Sequence, residues 1–119
     1  MNLEKLIKKM KQHPKADQIG MILCHNGIVR GTARDGRRVS GLRISVDHAK
    51  LRAVIAENIQ KPGIVDILVE IAEDQDLAVG DDVMYLVVAG DIREHVIAAL
   101  TETLNVVKST VTRKQQYYI

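Results

Sequence analysis

Lys108 closes an apolar-striped segment, residues 91–108, and is followed within six residues by Arg113-Lys114. Far earlier, Asn26-Gly27-Ile28-Val29-Arg30 ends an apolar run and opens a stretch carrying Arg34, Arg37 and Arg38, broken by Gly31 and Gly36. Guanidinium groups present paired donors in a fixed fork that matches phosphate or carboxylate oxygens, and glycines let the backbone approach such a group closely. A lysine ammonium stabilises developing negative charge, and partial burial lowers its pKa towards proton transfer or covalent attack. The chemistry these types share is the holding of an anion, provided the fold brings Arg30, Lys108 and Lys114 together. Each also has a plainer reading. The helix dipole alone favours a lysine at a helix end, an arginine-rich turn keeps a hairpin tip solvated, and Arg113-Lys114 reads equally as a basic tail.

Other chemistries find less support. Cys24 and His25 are adjacent in an apolar run, and neighbours on a strand point to opposite faces, which argues against a Cys-His catalytic pair and for a structural thiol. His13, His25, His48 and His95 lack metal-ligand spacing, so no metal site is expected. There is no glycine-rich dinucleotide or phosphate-loop motif. With no Phe or Trp, and two of three tyrosines at positions 117 and 118, platforms for stacking bases are missing and nucleic-acid binding is not expected.

The elements that must position these residues follow from periodicity. Leu3, Leu6, Ile7 and Met10 fall at helical spacing before His13-Pro14. Residues 19–29 and 38–46 are strand-like, and Asp35-Gly36 between them signals a turn, which predicts a β-hairpin with a long, mobile tip. Asp47 caps a helix whose face is Leu51, Val54, Ile55 and Ile59, and Lys61-Pro62-Gly63 stops it. Residues 64–72 and 82–89 form a second hairpin around an acidic loop, 73–81. Asp91, with Glu94 three residues on, starts the last helix as an aspartate capping box, and Ile92, Val96, Ile97, Leu100, Leu104 and Val107 form its buried stripe. The order is αββαββα. Two hairpins with helices between them predict an α+β sandwich rather than a doubly wound parallel sheet.

Composition bounds the whole. A chain of 119 residues with 46% apolar content suits one domain, 1–119, with a real core. The net charge of +2 supplies no global field, so anion binding must be local. A single cysteine excludes an intrachain disulfide framework and fits a reducing compartment. Residues 1–12 interleave lysines with leucine and isoleucine, unlike a signal peptide, and no run approaches the ~20 apolar residues of a membrane span. A cytoplasmic location without membrane contact is expected.

Taken in order, His25-Asn26-Gly27-Ile28-Val29-Arg30, the Gly90-Asp91 segment, the helix ending in Lys108 and the following Lys114 resemble the large, catalytic subunit of molybdopterin synthase. That family shows a phenylalanine-x-glycine-x-valine-arginine segment, a later glycine-aspartate, a helix ending in lysine, and a tail with a second lysine. The resemblance runs over residues 19–114 and implies a hammerhead-like α/β arrangement. It also implies a homodimer that binds a small ubiquitin-like sulfur-carrier subunit at each end, with no metal or organic cofactor. The partner's C-terminal thiocarboxylate would deliver sulfur, twice, to a cyclic pterin phosphate, precursor Z, to form molybdopterin. Under it Lys108 and Lys114 are the catalytic lysines, with Arg113 able to stand in for the second, while Arg30, Arg93 and Arg113 bind substrate, Arg30 holding an anionic oxygen and Arg93 helping at the pocket rim.

Several family residues are replaced. The phenylalanine is His25, a histidine-arginine pair is Ile92-Arg93 with His95 further on, and a basic stretch reads Ala72-Glu73-Asp74-Gln75. A strand glutamate is Ser45, a proline-rich end is Val111-Thr112, and the sequence closes on Tyr117-Tyr118-Ile119. These changes fit a divergent enzyme, and equally a dimeric binding or regulatory module that kept the fold and lost the reaction.

Overall fold

In the computed structural model, which describes all residues 1–119, Val83 to Gly90 is buried without a break. A strand with no exposed face belongs in the middle of a sheet covered on both sides. This strand, β5 (Asp82–Gly90), lies between β1 (Met21–Ile28) and β3 (Ile64–Ile71) and runs antiparallel to both. Its alternate residues feed two cores. Tyr85, Val87 and Ala89 meet Leu6 and Met10 of helix α1 (Leu3–Lys11), while Leu86 and Val88 meet Ile67, Val96 and Ala99.

The last two belong to α3 (Arg93–Val106) or pack on it, so the first sheet is sandwiched between α1 and α3. Close seating depends on Gly90, where an added Cβ would stand 2.6 Å from the Gly63 carbonyl oxygen and 2.8 Å from Val96 Cγ2. Helix α2 (His48–Ile59) is capped as expected, Asp47 Oδ1 accepting from the Lys50 amide at 3.0 Å. It ends before Gly63, which takes the left-handed φ of +77° that favours glycine.

A second antiparallel sheet has β2 (Val39–Val46) at its centre, between β4 (Leu77–Ala78) and β6 (Thr112–Tyr118). Its inner residues Leu42 and Ile44 join Val29, Val54, Val107 and Val111 in the largest core. The fold is therefore α+β with two antiparallel sheets. No helix is long and apolar enough to cross a membrane.

Three expectations change. The second hairpin forms, with β3 pairing β5, but the first does not: β1 gives its hydrogen bonds to β5 and β2 gives its own to β4 and β6. Asp35-Gly36 turns only a small loop, closed by a bridge between Thr32 and Arg38. The loop is also tied down, since Arg37 packs on the Tyr118 ring at 3.9 Å and the Ile119 amide donates to the Arg38 carbonyl at 3.1 Å. Secondly, residues 112–118, taken as a tail, are β6. Thirdly, α3 starts after Ile92 without a side-chain cap. Asp91 instead accepts from the Ile92 amide at 2.6 Å and pairs with His95. Its buried face is Val96, Ala99 and Thr103, and Ile92 and Ile97 stand about half exposed. Small Ala99 and Thr103 face inward because the helix lies so close to the sheet.

A candidate anion-binding cleft

Helix α3 does not run to Lys108. It ends at Val106, and a wider π-turn, Val107–Val111, carries the chain into β6. Val107 and Val111 anchor this turn in the core while Lys108 is left on its outer side. Local hydroxyls serve the carbonyls at this junction: Thr110 Oγ1 and Ser109 Oγ donate to the Val106 carbonyl at 2.8 and 3.3 Å, and Thr112 Oγ1 to that of Val107 at 3.4 Å.

On β6 the period of two decides which cation goes where. Lys114, Gln116 and Tyr118 share one face, in register with Ile44, Leu42 and Val39 of β2. Arg113 points the other way, into a separate polar hollow with Ser45, Lys50 and Ser109. Lys114 thus lines the same hollow as Lys108, and Arg113 does not.

Between this face of β6, the π-turn and the loop after β1 lies a cleft. Its outer part has a volume of about 540 Å³ and includes Arg30, Arg34, Lys108, Lys114 and Tyr118. The inner part, about 340 Å³, shares Arg34, Lys108 and Lys114 and continues to His25, Gly27 and Met84. Arg30 is aimed by its own loop, Nε donating to the Thr32 carbonyl at 2.8 Å, which leaves its terminal nitrogens available. None of Arg30, Arg34, Lys108 and Lys114 has a carboxylate within ion-pair distance. Asp35, which also lines the outer part, is taken by Arg37: the Arg37 amide, donating at 3.0 Å, and then its guanidinium at 2.8 Å hold the carboxyl below the usual carboxylate range. Four unpaired cations converging on one concave surface attract an anion, and the attraction strengthens as water is excluded.

His25 is the neutral titratable group of the inner cleft. Burial, and then the Lys108 ammonium, push its pKa below the ordinary histidine value. Cys24 faces the opposite side of β1, among residues packed on α1, where burial raises its thiol pKa. The two side chains do not meet.

Arg93 lies outside the cleft of this chain. It stands at the far end of α3, a 14-residue helix and so about 21 Å long at ~1.5 Å per residue. Its only ion pair is a 3.4 Å contact to Glu94. Two of the other replaced positions have structural partners: Glu73 meets His48 at 2.7 Å, and His95 meets Asp91 at 2.7 Å. Gln116 and Tyr118 were missed as cleft residues because 112–118 was not read as a strand. For Arg34 the sequence leaves an anion contact and a solvated hairpin tip both open, and the loop places it in the cleft. The polar-apolar alternation that reveals half-buried strands is absent from Thr-Arg-Lys-Gln-Gln-Tyr-Tyr.

A family model described as MoaE protein matches residues 1–110. The fold is similar to that of molybdopterin synthase from Staphylococcus aureus, at a TM-score of 0.78 and 17% identity, covering 100% of this chain and 86% of that one. Molybdopterin cofactor biosynthesis protein E from Burkholderia multivorans gives 0.78 and 18%, over 100% and 82%. A complex of subunits 1 and 2 of molybdopterin-converting factor from Helicobacter pylori gives 0.72 and 16%, over 99% and 84%. No curated protein matches the chain by sequence.

Proposed function

The chain belongs to the MoaE protein family, and from that premise we propose that it acts in molybdenum cofactor biosynthesis as the large subunit of a molybdopterin synthase. The observation that carries this reading is the convergence of Arg30, Arg34, Lys108 and Lys114, from three separate segments, on one cleft without carboxylate partners. Both reactants implied by the resemblance are anionic. One is the thiocarboxylate ending a small ubiquitin-like sulfur carrier, the other the cyclic phosphate of precursor Z. The similar Helicobacter pylori structure, a complex of two subunits, supports a small-subunit partner here as well.

In this scheme Arg30 and Arg34 hold anionic oxygens at the mouth, where a planar fork offers two donors to one group. Lys108 and Lys114 face each other's side of the cleft and stabilise the charge that builds up as sulfur leaves the carrier's carbonyl. The large subunits pair as a homodimer with a small subunit at each end. Arg93 and Arg113 carry no assignment in the cleft of a single chain. The binding-module reading gains nothing from the geometry, because every cation that the resemblance places in the pocket and that this chain's own fold can deliver is present and unpaired.

The test is reconstitution. Purified protein, thiocarboxylated small subunit and precursor Z are incubated together, and molybdopterin is expected to form. Binding of the small subunit without any product would replace the catalytic reading with the non-catalytic one.

A further inference from the structure

Three of the four histidines have a carboxylate partner: His13 with Asp66 at 3.4 Å, His48 with Glu73 at 2.7 Å and His95 with Asp91 at 2.7 Å. His25 is the fourth, and its surroundings have the opposite charge. Its ring reaches over Gly27, where an added Cβ would stand 3.3 Å from Nε2. That nitrogen is buried and has no hydrogen-bond partner. A buried polar atom left unpaired is costly unless a ligand is there to meet it.

The charged groups that share the inner cleft with His25 are Arg34, Lys108 and Lys114. In register His25 sits beside Leu86 and then Val69, so its face of the sheet is otherwise apolar. The carboxylates of β5 and β3 lie on the other face. Asp82 accepts from Tyr85 Oη at 2.5 Å and from Asn26 Nδ2 at 3.1 Å, Glu70 lies in register with Tyr85, and Asp66 meets His13. The residues that α3 buries against the sheet, Val96, Ala99 and Thr103, add no charge, and β2 contributes Leu42 and Ile44.

We propose that His25 is a proton acceptor built into the cleft, taking up one proton as an anionic group enters beside Lys108. In the empty cleft the imidazole has nothing to offset a positive charge, and burial and Lys108 both hold it neutral. An anion beside Lys108 cancels that field and offers the acceptor that an imidazolium N–H needs, so the same position then favours the charged ring. The step is one proton moving from solvent to a ring nitrogen and back to solvent when the anion departs; no other bond changes. The inference rests on the anion-cleft reading and extends it, since a proton that arrives with the anion is held beside the atoms that develop charge during transfer.

Histidine titration by NMR on the whole chain tests this, with sulfate as the probe because it stays fully ionised and any proton taken up belongs to the protein. Against gluconate at equal ionic strength, saturating sulfate is expected to raise the His25 midpoint by about one pH unit. By linkage that equals roughly tenfold tighter sulfate binding to the protonated form. Lys108→Ala should raise the sulfate-free midpoint and shrink the sulfate increment, and His25→Phe should flatten the pH dependence of sulfate affinity between the sulfate-free and sulfate-bound midpoints of the parent. Sulfate-dependent shifts at the Lys108 and Lys114 amides with His25 unmoved would overturn the proposal alone. No shift at those amides would overturn it together with the anion reading of the cleft.

Discussion

Arg113 and Lys114 are neighbours on the same edge strand, both exposed and both without an ion pair, yet they face opposite sides of β6. Replacing either by alanine removes one positive charge and alters strand propensity in a similar way, so the pair isolates geometry from charge. An anion held about 4 Å from the Lys114 ammonium gains between ~1 kcal/mol in water-like surroundings and ~4 kcal/mol at the effective dielectric of a protein surface. Lys114→Ala should therefore lower kcat/KM for the small subunit by roughly fivefold to several hundredfold. The Arg113 charge reaches the cleft only across the strand, and screening with a Debye length of about 8 Å leaves it worth a few tenths of a kcal/mol. Arg113→Ala should stay within about twofold of the parent. Neither change should move stability by more than ~0.5 kcal/mol, as is usual for surface positions free of special contacts. The assay is molybdopterin formation at varied small-subunit concentration, with thermal denaturation alongside. Equal losses in the two variants, or the larger loss in Arg113→Ala, would refute the face assignment on β6.

Lys108→Ala should abolish molybdopterin formation while costing less than about 1 kcal/mol of stability, and Lys108→Arg should also be impaired, because arginine keeps the charge but spreads it over a bulkier planar fork in place of a compact ammonium; full turnover by the alanine variant would remove Lys108 from the catalytic proposal. Gly90→Ala should destabilise by ~1–3 kcal/mol in denaturant unfolding, since the new methyl meets the Gly63 carbonyl and Val96 in a tightly seated helix-sheet contact. The folded protein holds His25 below its ordinary pKa, so as pH falls through about 6.5 the unfolded chain takes a proton that the folded one resists. Stability should thus decline as pH falls from about 6.5 towards the folded midpoint, and His25→Phe should lessen that decline in anion-free buffer; a parallel stability-pH profile for parent and variant would contradict the assigned environment.

Much of the local structure was legible because it obeys local rules. The spacing of Leu6 and Met10 sets the buried face of α1, Asp47 caps α2, and the apolar runs of β3 and β5 form the hairpin their turn signals. The residue types for anion binding were equally plain, since arginine and lysine carry their chemistry wherever they stand. Partner choice among strands was not legible for β1 and β2. Backbone donors and acceptors are the same on every strand, so a turn at Asp35-Gly36 shows that the chain reverses, not that the strands it joins will pair. What separates β1 from β2 is non-local: β5, buried on both faces by helices, needs a strand along each edge to pair its backbone groups and takes β1 and β3, while β2 finds its partners in β4 and β6. Edge strand β6 hid for a related reason, its polar residues giving no amphipathic period. Because the side-chain period of a strand is two, a displacement of one residue there would exchange Lys114 for Arg113. Arginines and lysines in the sequence thus announced an anion site, but pairing across two sheets chose its members, left Arg93 outside and placed His25 within.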